Sequence, residues 1–284
     1  GGLGSWALHA LMGGLRETGS TGEGLCLNLV DPDLSIEEHN LNRQVLYSHE
    51  DIRKKKVLVA KKRVAEAFPD ATLSAFVGGI GLPHLYSMIH VADDSSPHFQ
   101  NEDEDEDGIF SSSANLYSAS NSIFHDSSAV VCGVDNLRSR TLLNAITSIS
   151  GIPMLNAGAQ GFSGQFDVFM PDESCMLCRY GVGVAREETR MSCQEDGDVP
   201  FSSIVTSTAI FGALEGLALL SVLAEGPNSL SNWPSHIGWN GRTNAFHTTN
   251  GSYTDPFSDA LSSEGPHSDH LSNRILDING QSHR

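Results

Sequence analysis

The sequence opens on GGLGSW, a glycine cluster directly ahead of an apolar run with helical period at residues 6–15. Glycines at such a junction let backbone N–H groups approach a phosphate at the helix N-terminus. An acidic residue at the end of the next strand is the usual partner of ribose hydroxyls, and both Asp31 and Asp33 follow the apolar run 25–30. The interval from Gly4 to Asp31 exceeds the usual twenty or so residues, and the polar, glycine-rich GLRETGSTGEG accounts for the excess. Cys175 and Cys178 form a CxxC, a spacing that suits one half of a tetrahedral zinc site. His267 and His270 have ligand spacing in a histidine-rich tail. Cys193, in RMSCQEDGDVP, is a candidate nucleophile. A reactive thiolate wants an electropositive setting, whereas Glu187, Glu188, Glu195, Asp196 and Asp198 outweigh Arg186 and Arg190 around it. Cys26 and Cys132 lie in strand runs and read as small core residues.

The elements that must position these residues alternate strand and helix. After the 6–15 helix come a strand at 25–30 and an amphipathic helix at 53–68 stopped by Pro69-Asp70. A third strand is expected at 73–77 and a buried one at 129–134, followed by a helix at 137–150 that ends at Gly151 with Pro153 beyond. Residues 154–157 and 165–170 are further strands. Residues 206–224 form a long apolar helix, about the length of a bilayer span. It carries Glu215 with several Thr, Ser and Gly and has no basic flank, so it reads as a core or interface helix. Strands separated by helices argue an α/β fold with a Rossmann-like, mostly parallel sheet flanked by helices. The strand that should precede the glycine turn is not part of the sequence, so the chain reads as starting one strand late.

Composition bounds the rest. The 284 residues carry 17 Lys+Arg against 35 Asp+Glu, a formal net charge of -18. Phosphate-backbone binding needs dense Lys and Arg, so nucleic acid is excluded as a main partner, and no membrane association is expected. Five cysteines make no disulfide framework, and a cytoplasmic, reducing setting is the default. Between His84 and Asp126 there is no Lys or Arg but a Glu102–Asp107 acidic run. Residues 92–127 therefore read as a disordered acidic insertion that buries too little to offset its ordering entropy. Residues 226–284, rich in Ser, Asn, His and Gly, read as a poorly ordered extension. A short hairpin is expected there at 235–239 and 243–248, turning at Asn240-Gly241. The remaining residues 1–225 form the main domain.

Further motifs are DPDLSIEEHNLNRQ at 31–44, Lys56 thirteen positions after Arg43, VDNLRSR at 134–140, GIPMLNAGAQG from 151 and CMLC at 175–178. In this order they resemble the ThiF/MoeB/HesA adenylating family, which includes the nucleotide-binding half of ubiquitin-activating enzymes. The resemblance covers about residues 1–91 and 128–225. It implies that Gly2, Gly4 and Ser5 line a phosphate turn, that Asp31 or Asp33 holds a ribose, and that Asn40 and Arg43 sit at phosphates with Gln44 in support. It further implies that Lys56 reaches the phosphates, that Asp135 binds Mg²⁺ and that Asn136 shapes the adenine side. All five lysines fall between Lys54 and Lys62, and spacing alone selects Lys56.

By the same resemblance the chain would adenylate the C-terminal carboxylate of a small ubiquitin-like or sulfur-carrier protein, using ATP and Mg²⁺, as a homo- or heterodimer. Zn²⁺ would sit at Cys175 and Cys178, although relatives complete that site with a second CxxC that this sequence lacks. Cys193 falls in the crossover where relatives pass the modifier's tail. Two other readings stand beside this one. A catalytically dead scaffold subunit of a heterodimeric activating enzyme would keep the fold. An NAD-dependent oxidoreductase would leave the N-L-N-R-Q run and the D-N pair without a role.

Overall fold

The computed structural model describes residues 1–79, 109–110, 124, 127–173, 175–181 and 204–249. Most of the expected acidic insertion, Cys193, His267, His270 and the end of the tail lie outside the described residues.

Helix α1 (Gly2–Glu17) begins within the glycine cluster itself, earlier than periodicity suggested. Its buried face is Leu3, Ala7, Leu8, Leu11 and Met12, the three-and-four spacing of an amphipathic helix. Strand β1 (Cys26–Asp31) follows. Helix α2 (Lys56–Ala67) starts three residues later than expected. Arg53 takes a left-handed φ of 72°, and residues 53–54 exchange backbone hydrogen bonds with Ile36 rather than continuing a helix. Strand β2 (Thr72–Val77) pairs in parallel with β1, and β3 (Ile109–Phe110) pairs in parallel with β2. Val64, Phe68 and Ala60 of the α2 segment pack with Leu27 and Leu29 of β1 and with Leu8, Leu11 and Met12 of α1.

A second sheet runs β4 (Val130–Cys132), β5 (Met154–Gln160), β6 (Ser163–Phe169), β7 (His236–Asn240) and β8 (Ala245–Thr249), in that spatial order. Helix α3 (Leu137–Ile149) connects β4 to β5, and that pair is parallel, as a helical crossover requires. From β5 onward the pairing is antiparallel. The cause is local: β5 and β6 are joined by Gly161-Phe162, with Gly161 at φ 53°, a two-residue link that permits only a hairpin. The expected hairpin in the 226–284 extension exists and continues this sheet through β6–β7 pairing. Its turn spans residues 241–244 and uses Asn244 at φ 51°.

Alternate residues of β5 and β6 serve the two faces. Met154 and Phe169 join Leu143, Ile146 and the short helix α4 (Met176–Tyr180). Leu155, Ala157, Phe166 and Val168 join Phe211, Ala218 and Val222 of helix α5 (Val205–Glu225). Helix α5 is long and apolar enough to cross a membrane by length and composition, but it lies against β5, β6 and α1. Gly212 and Gly216 permit the close approach: a Cβ at 212 would lie 2.7 Å from Leu3 O, and one at 216 would lie 2.6 Å from Ala7 O. Cys26 departs from the expectation. It sits on the outward face of β1 and is exposed, whereas Cys132 is fully buried.

Candidate functional site

The C-terminal ends of β1 and β4 meet the first turn of α1, the crevice in which open α/β sheets bind ligands. The Gly1 nitrogen lies 3.2 Å from Asp31 Oδ2 at the end of β1. On the other side Gly133, just after β4, backs onto Gly4 so closely that a Cβ on Gly133 would lie 3.2 Å from the Gly4 nitrogen. The Cβ side of Gly4 itself faces open space, with nothing within 4 Å. Gly2 packs on the stem of Arg43, whose Cγ would be 3.5 Å from an added Cβ. Ser5 is buried and donates its hydroxyl to Gly2 O at 3.0 Å, tightening this turn.

The 40–44 segment is held to α1 by Trp6, whose indole N–H donates to Arg43 O at 3.1 Å. Asn40 is buried and its Oδ1 accepts from the Glu37 N–H at 3.1 Å, so it shapes the loop. Arg43 donates through Nη1 to His39 O and Asn42 Oδ1. Among the described residues it forms no ion pair. Gln44 is buried, and its Oε1 has no hydrogen-bond partner among the described residues. A buried orphan acceptor is costly and marks a place where a donor is missing.

Lys56 is the first residue of α2, is almost fully buried and pairs with Asp33. The two candidate ribose acids are thereby separated: Asp31 faces the glycine turn, while Asp33 faces Lys56. Asp31 also accepts the Asp33 N–H at 2.9 Å, fixing the bend between them. Tyr47 closes the group, donating to Lys56 O at 3.3 Å. Burial, and then the charges of Asp31, Asp33 and Asp51, push its phenol well above the ordinary value, so it stays a neutral donor.

Asp135 is exposed after β4 and, among the described residues, takes only a long 3.5 Å contact from Asn136 Nδ2. Asn136 is the N-cap of α3, accepting the Ser139 N–H at 2.8 Å. Cys175 and Cys178 bring their sulfurs to 3.3 Å, closer than the about 3.8 Å that two thiolates span at a tetrahedral zinc. No cluster of three or more His, Cys, Asp or Glu with metal-holding geometry occurs among the described residues. Burial pushes the Cys132 thiol up to about 11, which removes it as a nucleophile.

Three features escaped sequence reasoning. Trp6 and Tyr47 carry no spacing signal. Glu215 was visible as the lone acid in an apolar helix, but its role was not. It is fully buried and accepts the Ala157 N–H at 2.9 Å. Arg140 donates to Ala157 O and to Asn156 Oδ1. Together they satisfy both backbone groups of Ala157, one step past the last β4–β5 pair at Cys132 and Asn156. Burial raises the Glu215 carboxyl to about 8, against the Ala157 N–H and the Arg140 charge.

A glycine-rich helix start that meets the C-terminal ends of β1 and β4, with Arg43 packed against it, is the arrangement of an α/β domain of Rossmann type. The chain belongs to the ThiF family, whose model matches residues 1–256. It is similar to the sulfur carrier protein ThiS adenylyltransferase of Escherichia coli (strain K12), 26% identical over 223 residues, which is 78% of this chain and 69% of that protein. It is also similar to the SAMP-activating enzyme E1 of Haloferax volcanii, 25% identical over 190 residues. That match takes in 67% of this chain and 52% of the haloarchaeal protein. Among solved structures, E. coli MccB with AMPCPP and MccA aligns with a TM-score of 0.57 and 19% identity, over 90% of this chain and 62% of that one. E. coli MccB with ATP aligns with a TM-score of 0.55 and 17% identity, over 88% and 62%. At these identities the structural likeness is one of fold, and the chain spans under two thirds of those neighbours.

Proposed function

We propose that the chain is an ATP-dependent activating enzyme that adenylates the C-terminal carboxylate of a small ubiquitin-like or sulfur-carrier protein. The observation that carries this reading is the placement of Asp31 and Arg43 at the first turn of α1, with Asp33 linking Asp31 to Lys56. The relatives named as a ThiS adenylyltransferase and a SAMP-activating E1 supply the direction of the chemistry.

The residues fit ATP. The open side of Gly4 leaves space for a phosphate against the helix N-terminus. Gly2 and Ser5 complete that turn, Asp31 serves the ribose, and Arg43 with Lys56 serves the phosphates. Gln44 Oε1, next in sequence to Arg43, is a buried acceptor without a partner among the described residues, while Asn40 and Asn136 fix the backbone of the 37–40 loop and of the start of α3. Mg²⁺ at Asp135 would supply further charge neutralisation.

In the reaction a carboxylate oxygen of the carrier attacks the α-phosphorus. The bond to the bridging oxygen of the β-phosphate breaks, and pyrophosphate leaves. Two anions must approach one another, so Arg43 and Lys56 act by holding charge where it develops. The step needs no thiol or hydroxyl nucleophile; position and electrostatics suffice. Cys193 as a covalent site and Zn²⁺ at Cys175 and Cys178 are separate proposals that the adenylation step does not require. The exposed Val205, Leu217 and Leu223 of α5 support a dimer interface on that helix. The packing of α5 onto α1 and the sheet favours a core helix over a membrane span for that segment, in keeping with the expected cytoplasmic enzyme.

Calorimetric titration with ATP and Mg²⁺ tests the site. Wild-type protein binds, and Arg43→Ala weakens binding at least tenfold. Equal binding by the two would refute the assignment of Arg43. ATP binding without any carrier-dependent turnover would favour the scaffold subunit over the enzyme.

A further inference from the structure

The antiparallel half of the second sheet carries a side-chain network that nucleotide binding does not use. Asp167 of β6 is fully buried. It accepts from Arg179 Nη1 at 3.1 Å, from the Tyr180 hydroxyl at 2.8 and 2.9 Å, and from Asn156 Nδ2 at 3.2 Å. His236 Nδ1 of β7 lies 2.8 Å from its Oδ1. Both carboxylate oxygens act as acceptors, so Nδ1 of His236 supplies the proton in that contact. In the neutral imidazole its other nitrogen, Nε2, is then the lone-pair nitrogen, and it lies 3.3 Å from Nε2 of His247 on β8.

His247 reaches this position because its cross-strand partner is a glycine. A Cβ on Gly238 would fall 2.1 Å from His247 Cε1 and 2.2 Å from its Nε2. The imidazole therefore lies across β7, over the place a side chain would occupy, and meets His236 on the diagonal.

We propose that His236 and His247 form a two-imidazole site for a divalent transition ion, Zn²⁺ foremost, with water completing the coordination. Two nitrogens each about 2.0–2.1 Å from a tetrahedral zinc lie about 3.3 Å apart, which is the spacing found here. The Asp167 contact to Nδ1 is the carboxylate–histidine pairing that fixes ring and tautomer in metal-bound histidines. An imidazole–imidazole hydrogen bond accounts for the distance alone. The fixed tautomer of His236, the glycine that admits the second ring and the exposure of His247 to solvent are what a metal with water ligands requires. The site is separate from the Cys175–Cys178 pair and stands whether or not the nucleotide reading does.

The test is a Zn²⁺ titration of chelator-stripped protein, read by competition with a chromophoric chelator. One equivalent per chain is expected for wild type, for Cys175→Ser/Cys178→Ser and for His267→Gln/His270→Gln. His247→Gln lowers the affinity at least tenfold with an unchanged thermal melt, since the residue is exposed. Gly238→Ala keeps both imidazoles but displaces one, and lowers affinity by a similar factor. The assignment is overturned if wild type binds no Zn²⁺, or if His247→Gln binds as wild type does. It is equally overturned if the binding is lost with the cysteines or with the tail histidines instead.

Discussion

Lys56 and Asp33 form an ion pair of unequal exposure: the lysine side chain is 4% exposed and the aspartate 54%. The lysine opens α2, whose first turn carries no acidic residue. A cation at a helix N-terminus opposes the macrodipole, so this end of α2 favours an anion beyond what Asp33 offers. A phosphate would meet both the lysine and the helix end. Lys56→Met is expected to weaken ATP binding at least tenfold, about 1.4 kcal/mol or more, by calorimetry. Asp33→Asn leaves the buried Lys56 ammonium without its counter-charge, so it should lower thermal stability by more than the about 1 kcal/mol of a surface ion pair.

Asp31 and Asp33 differ in address, and so should their substitutions. Asp31 faces the glycine turn through the 3.2 Å contact at Gly1. Asp31→Ala should therefore lower affinity for ATP while leaving 2′-deoxy-ATP affinity nearly unchanged, erasing the ribose preference. Asp33→Ala should preserve that preference. Parallel titrations with the two nucleotides check this, and the reverse pattern would reassign the ribose to Asp33.

Glu215 predicts a pH-dependent stability. Its carboxyl, raised by burial to about 8 in the folded protein, ionises near 4.3 when unfolded. Between those values the unfolded chain releases a proton that the folded chain keeps. Stability from this group is therefore full below about 4 and is lost as pH rises towards 8. Glu215→Gln keeps an acceptor for the Ala157 N–H and has no proton to lose. Urea titrations from pH 5 to 8.5 should show a falling stability in wild type and a flatter profile in the variant. Parallel slopes would contradict the account.

The close packing of α1 on α5 places the glycine turn. Gly216→Val would drive a side chain into Ala7 O, 2.6 Å from the added Cβ. Overpacking of this kind costs about 1–3 kcal/mol, measurable by thermal melting. Because α1 carries Gly2, Gly4 and Ser5, ATP affinity should fall with it. The same substitution at Gly13, where an added Cβ meets nothing within 4 Å, serves as the contrast.

The helices were legible in the sequence, because α1, α2 and α3 each repeat apolar residues at helical spacing and α5 is a long, nearly continuous apolar run. Their ends were less so. Arg53 looks helical by residue type, yet Ile36 captures its backbone N–H from a distant loop. Cys26 looks like core until β1 is seen to expose alternate residues. The antiparallel turn of the second sheet rests on Gly161, a single left-handed residue. In the candidate site, Arg43, Lys56 and the alternatives Asp31 and Asp33 were proposed from motif order and spacing, and the titrations above test their roles. The Ala157 clamp of Glu215 and Arg140, and the Asp167–His236–His247 chain, join residues too far apart in sequence for any spacing to announce them.

ATP–pyrophosphate exchange tests the central claim most directly. Labelled pyrophosphate should enter ATP only when a ubiquitin-like or sulfur-carrier protein with a free C-terminal carboxylate is present. The incorporation should collapse with Arg43→Ala and with Lys56→Met. Exchange that proceeds equally without a carrier, or in those variants, would contradict the account, as would no exchange with any carrier tested.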